Sequence, residues 1–148
     1  MYADYEFYQG SYYGDTIAPD AWDKYGTRAS DFLDWMTRRQ MVNNLPSNAE
    51  DLERIQKACC AVADAFYQID KIKAAEASGG ASVGVEGISG QIKSLSSGGE
   101  SISFEASAVS RAVTGGETAI NGYLYDVAKP YLSLVADDSG RYYLYWGL

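Results

Sequence analysis

The groups in this chain that could do chemistry are carboxylates and two cysteines. Glu50, Asp51 and Glu53 lie together, as do Asp137 and Asp138, so a carboxylate-dependent hydrolysis is the reaction to consider. The first set falls in the opening turn of a predicted helix, where negative charge compensates the backbone dipole. Asp137-Asp138-Ser139-Gly140 lacks the alternating ligands of a calcium loop and reads as a turn. The sequence contains no histidine, which excludes Ser-His-Asp and Cys-His nucleophile systems and histidine metal sites. Cys59 falls on an apolar helical stripe, with Cys60 about 100° round from it. Neither has a CxxC partner, so both read as packing residues. Gly87-Ile88-Ser89-Gly90-Gln91-Ile92-Lys93-Ser94 imitates a phosphate loop, but such a loop needs its lysine directly after the last glycine and a strand-loop-helix context. The sequence therefore predicts no catalytic residue, no cofactor and no metal.

Composition narrows the class further. A chain of 148 residues with 47% hydrophobic content reads as one domain that buries roughly two-thirds of its unfolded surface. Its net charge is -8, its pI is near 4.4, and its Lys and Arg residues are scattered. Phosphate neutralisation needs a basic patch, so direct binding of nucleic acid is not expected. An acidic wall would repel DNA, a property that suits a conduit better than a binder. Met1 to Glu6 has no basic stretch of the kind that opens a secretory signal, and the longest strongly apolar run is Ala58 to Ala63. Neither a leader nor a membrane span is predicted. Two adjacent cysteines fit synthesis in a reducing cytoplasm.

Three helices position these groups. Pro19 suits a first helical position, and Trp22, Tyr25, Ala29, Phe32, Leu33 and Met36 follow 3/4 spacing, which predicts helix one to about Arg39. Ser47-Asn48-Ala49-Glu50 has the form of a capping box, and Leu52, Ile55, Cys59, Val62, Phe66 and Ile69 continue helix two on one face. Helix three starts near Thr118 with Ile120, Leu124, Val127 and Tyr131, and Pro130 should end or kink it. Ser78 to Gly116 holds nine of the fifteen glycines, so it reads as a long loop of the functional kind. Within it, Ile92-Lys93-Ser94-Leu95 and Glu100-Ser101-Ile102-Ser103-Phe104 alternate around Ser97-Gly98-Gly99 as a β-hairpin would. The predicted fold is mainly α: a small three-helix body, a Gly/Ser-rich β-hairpin loop between helices two and three, and extended aromatic tails. Its segments are an arm over 1–18, a helical hairpin over 19–77, the loop over 78–116, the third helix over 117–136 and a tail over 137–148 of one domain.

Tyr5-Glu6-Phe7-Tyr8, Tyr13-Gly14, the helix bearing Trp22, Tyr25, Arg28-Ala29-Ser30, Leu33-Asp34 and Thr37, and then Ala58-Cys59-Cys60 and Ala63-Asp64 resemble the head-tail connector proteins of tailed phages. Ile92-Lys93-Ser94 with Glu100-Ser101-Ile102-Ser103-Phe104 resembles that family's serine-rich hairpin. Tyr131-Leu132-Ser133 precedes a tail that resembles its Gly-Leu-Leu-Tyr-Arg-Gly ending, with Trp146 where the family has arginine. The order of these pieces covers most of the chain.

The resemblance implies a structural virion protein, not an enzyme, made in the host cytoplasm and built into the neck between head and tail. It implies a ring of copies, twelvefold by expectation, under the portal protein, joining head to tail and continuing the DNA channel. Portal docking is then expected of Tyr142, Tyr143, Leu144, Tyr145, Trp146 and Leu148. Contacts to a neighbour, or to a stopper or tail-completion protein, are expected of Ile92, Lys93, Ser94, Glu100, Ile102 and Phe104. N-terminal arm contacts are expected of Tyr5, Tyr8 and Tyr13, although both tails could equally fold onto their own helices. Double-stranded DNA would pass without specific binding, and no membrane is involved. Two alternatives are a cytoplasmic regulatory module binding a peptide or small ligand between its helices and a stopper or tail-completion protein of the same neck.

Overall fold

The structure, a computed structural model, describes residues 1–77 and 108–144 and is mainly helical. The helices are α1 (Tyr5–Gly10), α2 (Pro19–Met36), α3 (Gln40–Asn43), α4 (Ala49–Ala77), α5 (residues 108–114) and α6 (Glu117–Leu132). The predicted hairpin from Ile92 to Phe104 lies outside the described residues, as do Tyr145, Trp146 and Leu148. Among the described residues the β structure is a single isolated antiparallel bridge, Ala136 to Tyr142. The chain forms two compact units, Met1–Phe66 with Leu124–Leu148, and Tyr67–Tyr123.

In the first unit, the arm expected to be extended contains α1. Asp4 caps it, its carboxylate accepting the Phe7 N–H at 2.8 Å, which satisfies a donor the first helical turn leaves open. The segment folds back on α2: the Trp22 indole donates to the Ala3 carbonyl at 3.3 Å, and the Tyr2 N–H donates to Ser30 Oγ at 3.0 Å. Pro19 opens α2 as its sequence suggests, and Trp22, Tyr25, Ala29, Phe32, Leu33 and Met36 are all buried. Full burial of a side chain such as Leu33 contributes about 1.5–3 kcal/mol.

Helix one stops short of Arg39. The helix α2 ends at Met36, and Arg38 and Arg39 follow with φ of 52° and 60°. Those left-handed values bend the chain into α3, and no glycine marks the bend in sequence. The Thr37 hydroxyl donates to the Leu33 carbonyl at 2.7 Å, closing the last turn of α2.

Cap assignment at α4 also differs from the capping box. Asn48, not Ser47, is the cap: its side-chain oxygen accepts from the Glu50 N–H at 2.8 Å and the Asp51 N–H at 3.3 Å. Ser47 instead gives both its N–H and its hydroxyl to Asp138, so a tertiary partner displaces the local one. On α4, Ile55, Ala58, Cys59, Cys60, Val62 and Ala63 are fully buried. Leu124, Ala128 and Leu132 of α6 are buried too. Pro130 does not stop α6, which runs on to Leu132; the proline ring is exposed and lies in the last turn, so the N–H it lacks removes a bond only at an end whose carbonyls already lack helical donors.

The second unit contains the end of α4, α5 and the start of α6. The helix α5 falls inside the segment read as loop, because the surrounding Gly and Ser mask the buried pair Val109 and Ala112. It ends as helices often do: the Gly115 N–H donates to the Arg111 carbonyl at 3.0 Å, and Gly116 follows at φ 86°.

Candidate functional site

The C-terminal segment is built around Asp137. Its Oδ1 accepts the N–H of Ser139 at 2.9 Å, the hydroxyl of Ser139 and the N–H of Arg141 at 3.0 Å. Gly140, at φ 85°, closes the turn by donating its N–H to the Asp137 carbonyl at 2.9 Å. This is the turn that Asp137-Asp138-Ser139-Gly140 predicts, and its donors hold the Asp137 carboxyl below the usual carboxylate range. The turn is fastened to the preceding helices. Gln40 of α3 donates to Asp137 Oδ2 at 3.3 Å and to the Arg141 carbonyl at 3.2 Å. Tyr143 is fully buried and its phenol donates to the Asn44 carbonyl. Burial pushes that phenol up to about 12, with Asp137 and Asp138 adding to the effect.

The predicted docking residues are therefore divided. Tyr143 is inside its own chain, Leu144 is half-buried, and Tyr142 remains 47% exposed. The predicted arm residues divide in the same way. Tyr8 is fully buried, stacked on Trp22 with ring centres 4.6 Å apart. Tyr5 packs at 5.8 Å from Tyr8 and 6.3 Å from Trp22. Tyr13, at φ 61°, is 81% exposed and presents its ring outward.

The Tyr8 hydroxyl joins three segments: it donates to Asp64 Oδ1 of α4 at 2.7 Å and accepts the Thr16 and Ile17 N–H groups, each at 3.1 Å. Burial raises the Asp64 carboxyl to about 6, the Tyr8 hydrogen bond opposing and Asp15 assisting. A carboxyl so shifted resembles a general acid, but here it serves a packing tyrosine. Cys59 and Cys60 are both fully buried, and burial raises both thiols, so they pack as read. Glu50 pairs with Arg54 at 3.5 Å and Glu53 with Lys57 at 3.1 Å. With Pro130 and Tyr131 they line an open groove of about 370 Å³. Among the described residues no group of three or more Cys, Asp or Glu could hold a metal ion, and no helix is long and apolar enough to cross a membrane.

Among the described residues, exposed apolar side chains that escape the sequence reading include Trp35 at 61%, Val42 at 39%, Leu45 at 42% and Leu134 at 72%, besides the first residue, Met1. Trp35 carried a usable signal, since it lies off the stripe that Phe32, Leu33 and Met36 define. Its ring centre lies 5.4 Å from that of Phe32, so it continues the aromatic face outward. No family model, curated protein or solved structure matches this chain.

Proposed function

We propose that this chain is an adaptor of the tailed-phage neck, forming a ring beneath the portal that joins the DNA-filled head to the tail and continues the DNA channel. One observation carries the reading: the C-terminal segment that the resemblance assigns to docking is anchored on the helical body. Tyr143 is tied to Asn44 and Asp137 to Gln40, while Tyr142 stays on the outside. In sequence, Tyr145 and Trp146 follow that anchor directly. An anchored tail with aromatic residues suits docking, because tyrosine and tryptophan carry large contact area with few rotatable bonds.

A ring needs only modest contacts per subunit, since a closed assembly on a ring-shaped partner multiplies them through effective concentration. The net charge of -8 suits a channel through which DNA slides without sticking. Neutral substitution of acidic residues that line the channel should then slow DNA passage; unchanged packaging and ejection would remove that role. A ligand-binding alternative would use the groove at Arg54 and Tyr131, but its lining of exposed ion pairs differs from the mostly apolar wall of small-molecule sites.

The test is copy number per purified particle by quantitative mass spectrometry, with the portal protein as internal standard. One copy per portal subunit is the expected result. Hundreds of copies would indicate a tube or shell component, and absence from particles would overturn the reading.

A further inference from the structure

We infer that residues 37–43 form a two-state joint: residues 137–143 hold it bent, and without that hold α2 runs on through it as one helix. The stop of α2 has the hydrogen bonding of a common helix end. The Arg38 N–H donates to the Trp35 carbonyl at 3.1 Å and the Arg39 N–H to the Asp34 carbonyl at 2.6 Å, the pair of bonds that normally accompanies a left-handed glycine just past a helix. Here the left-handed positions are two consecutive arginines, at φ 52° and 60°. With a Cβ that conformation is strained, and it persists only where the surroundings enforce it. Nothing local calls for the bend. The nearest glycine and proline are Gly26 and Pro46, and Met36, Arg38, Arg39, Gln40 and Met41 are all good helix formers. Leu33, Thr37 and Met41 are fully buried and stand four apart, so a continuous helix would keep them on one face.

The enforcing contacts come from the C-terminal segment. Gln40 donates to Asp137 Oδ2 at 3.3 Å and to the Arg141 carbonyl at 3.2 Å. The N–H and hydroxyl of Ser47 donate to Asp138 Oδ1 at 2.8 Å and 3.0 Å, and the Tyr143 phenol donates to the Asn44 carbonyl. A continuous helix would carry Gln40 and Asn44 away from these partners, because the residues added beyond Met36 lengthen α2 by about 10 Å. Residues 44–48 reach about 17 Å when extended, so the chain can still return to α4. Local preference and tertiary contact thus oppose each other at one joint, which is the condition for a switch. Under the connector reading, the partner that takes the C-terminus draws residues 137–143 away, and docking is relayed to the end of α2. That trigger rests on the connector reading; the joint does not.

Cα chemical shifts of the full chain, measured by NMR, test the joint. Wild type should give left-handed values at Arg38 and Arg39. A variant combining Gln40→Ala, Ser47→Ala and Tyr143→Phe loses the ties but keeps the buried ring. At roughly fivefold per tie, the balance shifts toward the straight form on the order of a hundredfold, and both arginines should move to helical values. Adding Arg38→Gly, which takes the left-handed backbone without strain, should return that variant to the bent form. Alone in wild type, Arg38→Gly should raise the melting temperature by a few degrees. Left-handed values kept by the combined variant, or no rise in melting temperature with Arg38→Gly, would overturn the inference. For the trigger, amide hydrogen exchange across residues 37–44 should be slower in purified particles than in the free chain, and unchanged exchange would remove it. A joint that switches in a chain absent from particles would leave the joint and sink the connector reading. One chain per portal subunit, with left-handed values kept by the combined variant, would do the reverse.

Discussion

The Tyr8 phenol donates to Asp64 Oδ1 at 2.7 Å across 56 positions of sequence, and this bond ties the N-terminal segment to the middle of α4. The same oxygen accepts the Thr16 and Ile17 N–H groups, so one hydroxyl satisfies two backbone donors and one carboxylate. Tyr8→Phe removes all three bonds and leaves buried polar groups without partners, a loss of about 1–3 kcal/mol. Asp64→Asn keeps an acceptor for the phenol. Urea unfolding at neutral pH should show a clearly lower midpoint for the first variant and one no lower than wild type for the second, which also removes the cost of the buried charge; equal effects would show that the bond contributes little.

Asp64 also gives folding a pH dependence of definite sign. Its carboxyl ionises near 6 in the folded chain against 3.8 ordinarily. Between those values the folded state binds more protons than the unfolded state, so this group's contribution to stability falls as pH rises from about 4 to about 6 and is constant above. Asp137, held low by its donors, acts oppositely and loses its stabilisation as pH falls through the carboxylate range. Subtracting the stability of Asp64→Asn from that of wild type at each pH isolates the first effect. A flat difference between pH 4 and 6 would contradict the assignment.

Much of this fold is legible in the residues, and the parts that are not share a cause. The stripes from Trp22 to Met36 and from Ile55 to Ile69 identify α2 and α4 because burial repeats with the helical period. Asp137 to Gly140 reads as a turn because its carboxylate can bond the backbone two residues on. By contrast, Ser47 makes a good local cap, yet Asp138 draws it away; no local pattern encodes a partner 91 positions distant. The bend at Arg38 and Arg39 is hidden for a similar reason, since their left-handed backbone is imposed by the chain on either side and not by glycine. In the candidate site, aromatic composition marked the tails as contact-making. It did not say which rings turn inward, and Tyr8 and Tyr143 are buried while Tyr13 and Tyr142 face out.

Gly14 shows how tightly the N-terminal segment closes on Tyr8. A Cβ there would lie 2.2 Å from two carbons of the Tyr8 ring, and that ring is fixed by its stacking on Trp22 and its hydroxyl bonds. Gly14→Ala should therefore destabilise by about 1–3 kcal/mol, the usual cost of overpacking. Gly10, at the end of α1, has open space around a Cβ, and Gly10→Ala should be neutral or stabilising by about 0.5–1 kcal/mol. Thermal melts of the two variants provide the comparison. A Gly14→Ala protein that melts like wild type would mean the segment can move away from α2.

The C-terminal segment separates folding from docking. Tyr143 is fully buried and bonded to Asn44, so Tyr143→Ala removes a large core side chain at a cost of about 3–5 kcal/mol. Tyr143→Phe keeps the ring and loses only the hydroxyl, a cost nearer 1 kcal/mol. Removing residues 145–148 retains both the ring and its partner. Under the proposed function, that truncated chain should fold, as judged by its melt, yet fail to join filled heads to tails. Tyr143→Phe should fold and join. Normal joining by the truncated chain would show that portal docking lies elsewhere, with exposed Tyr142 as the next residue to change.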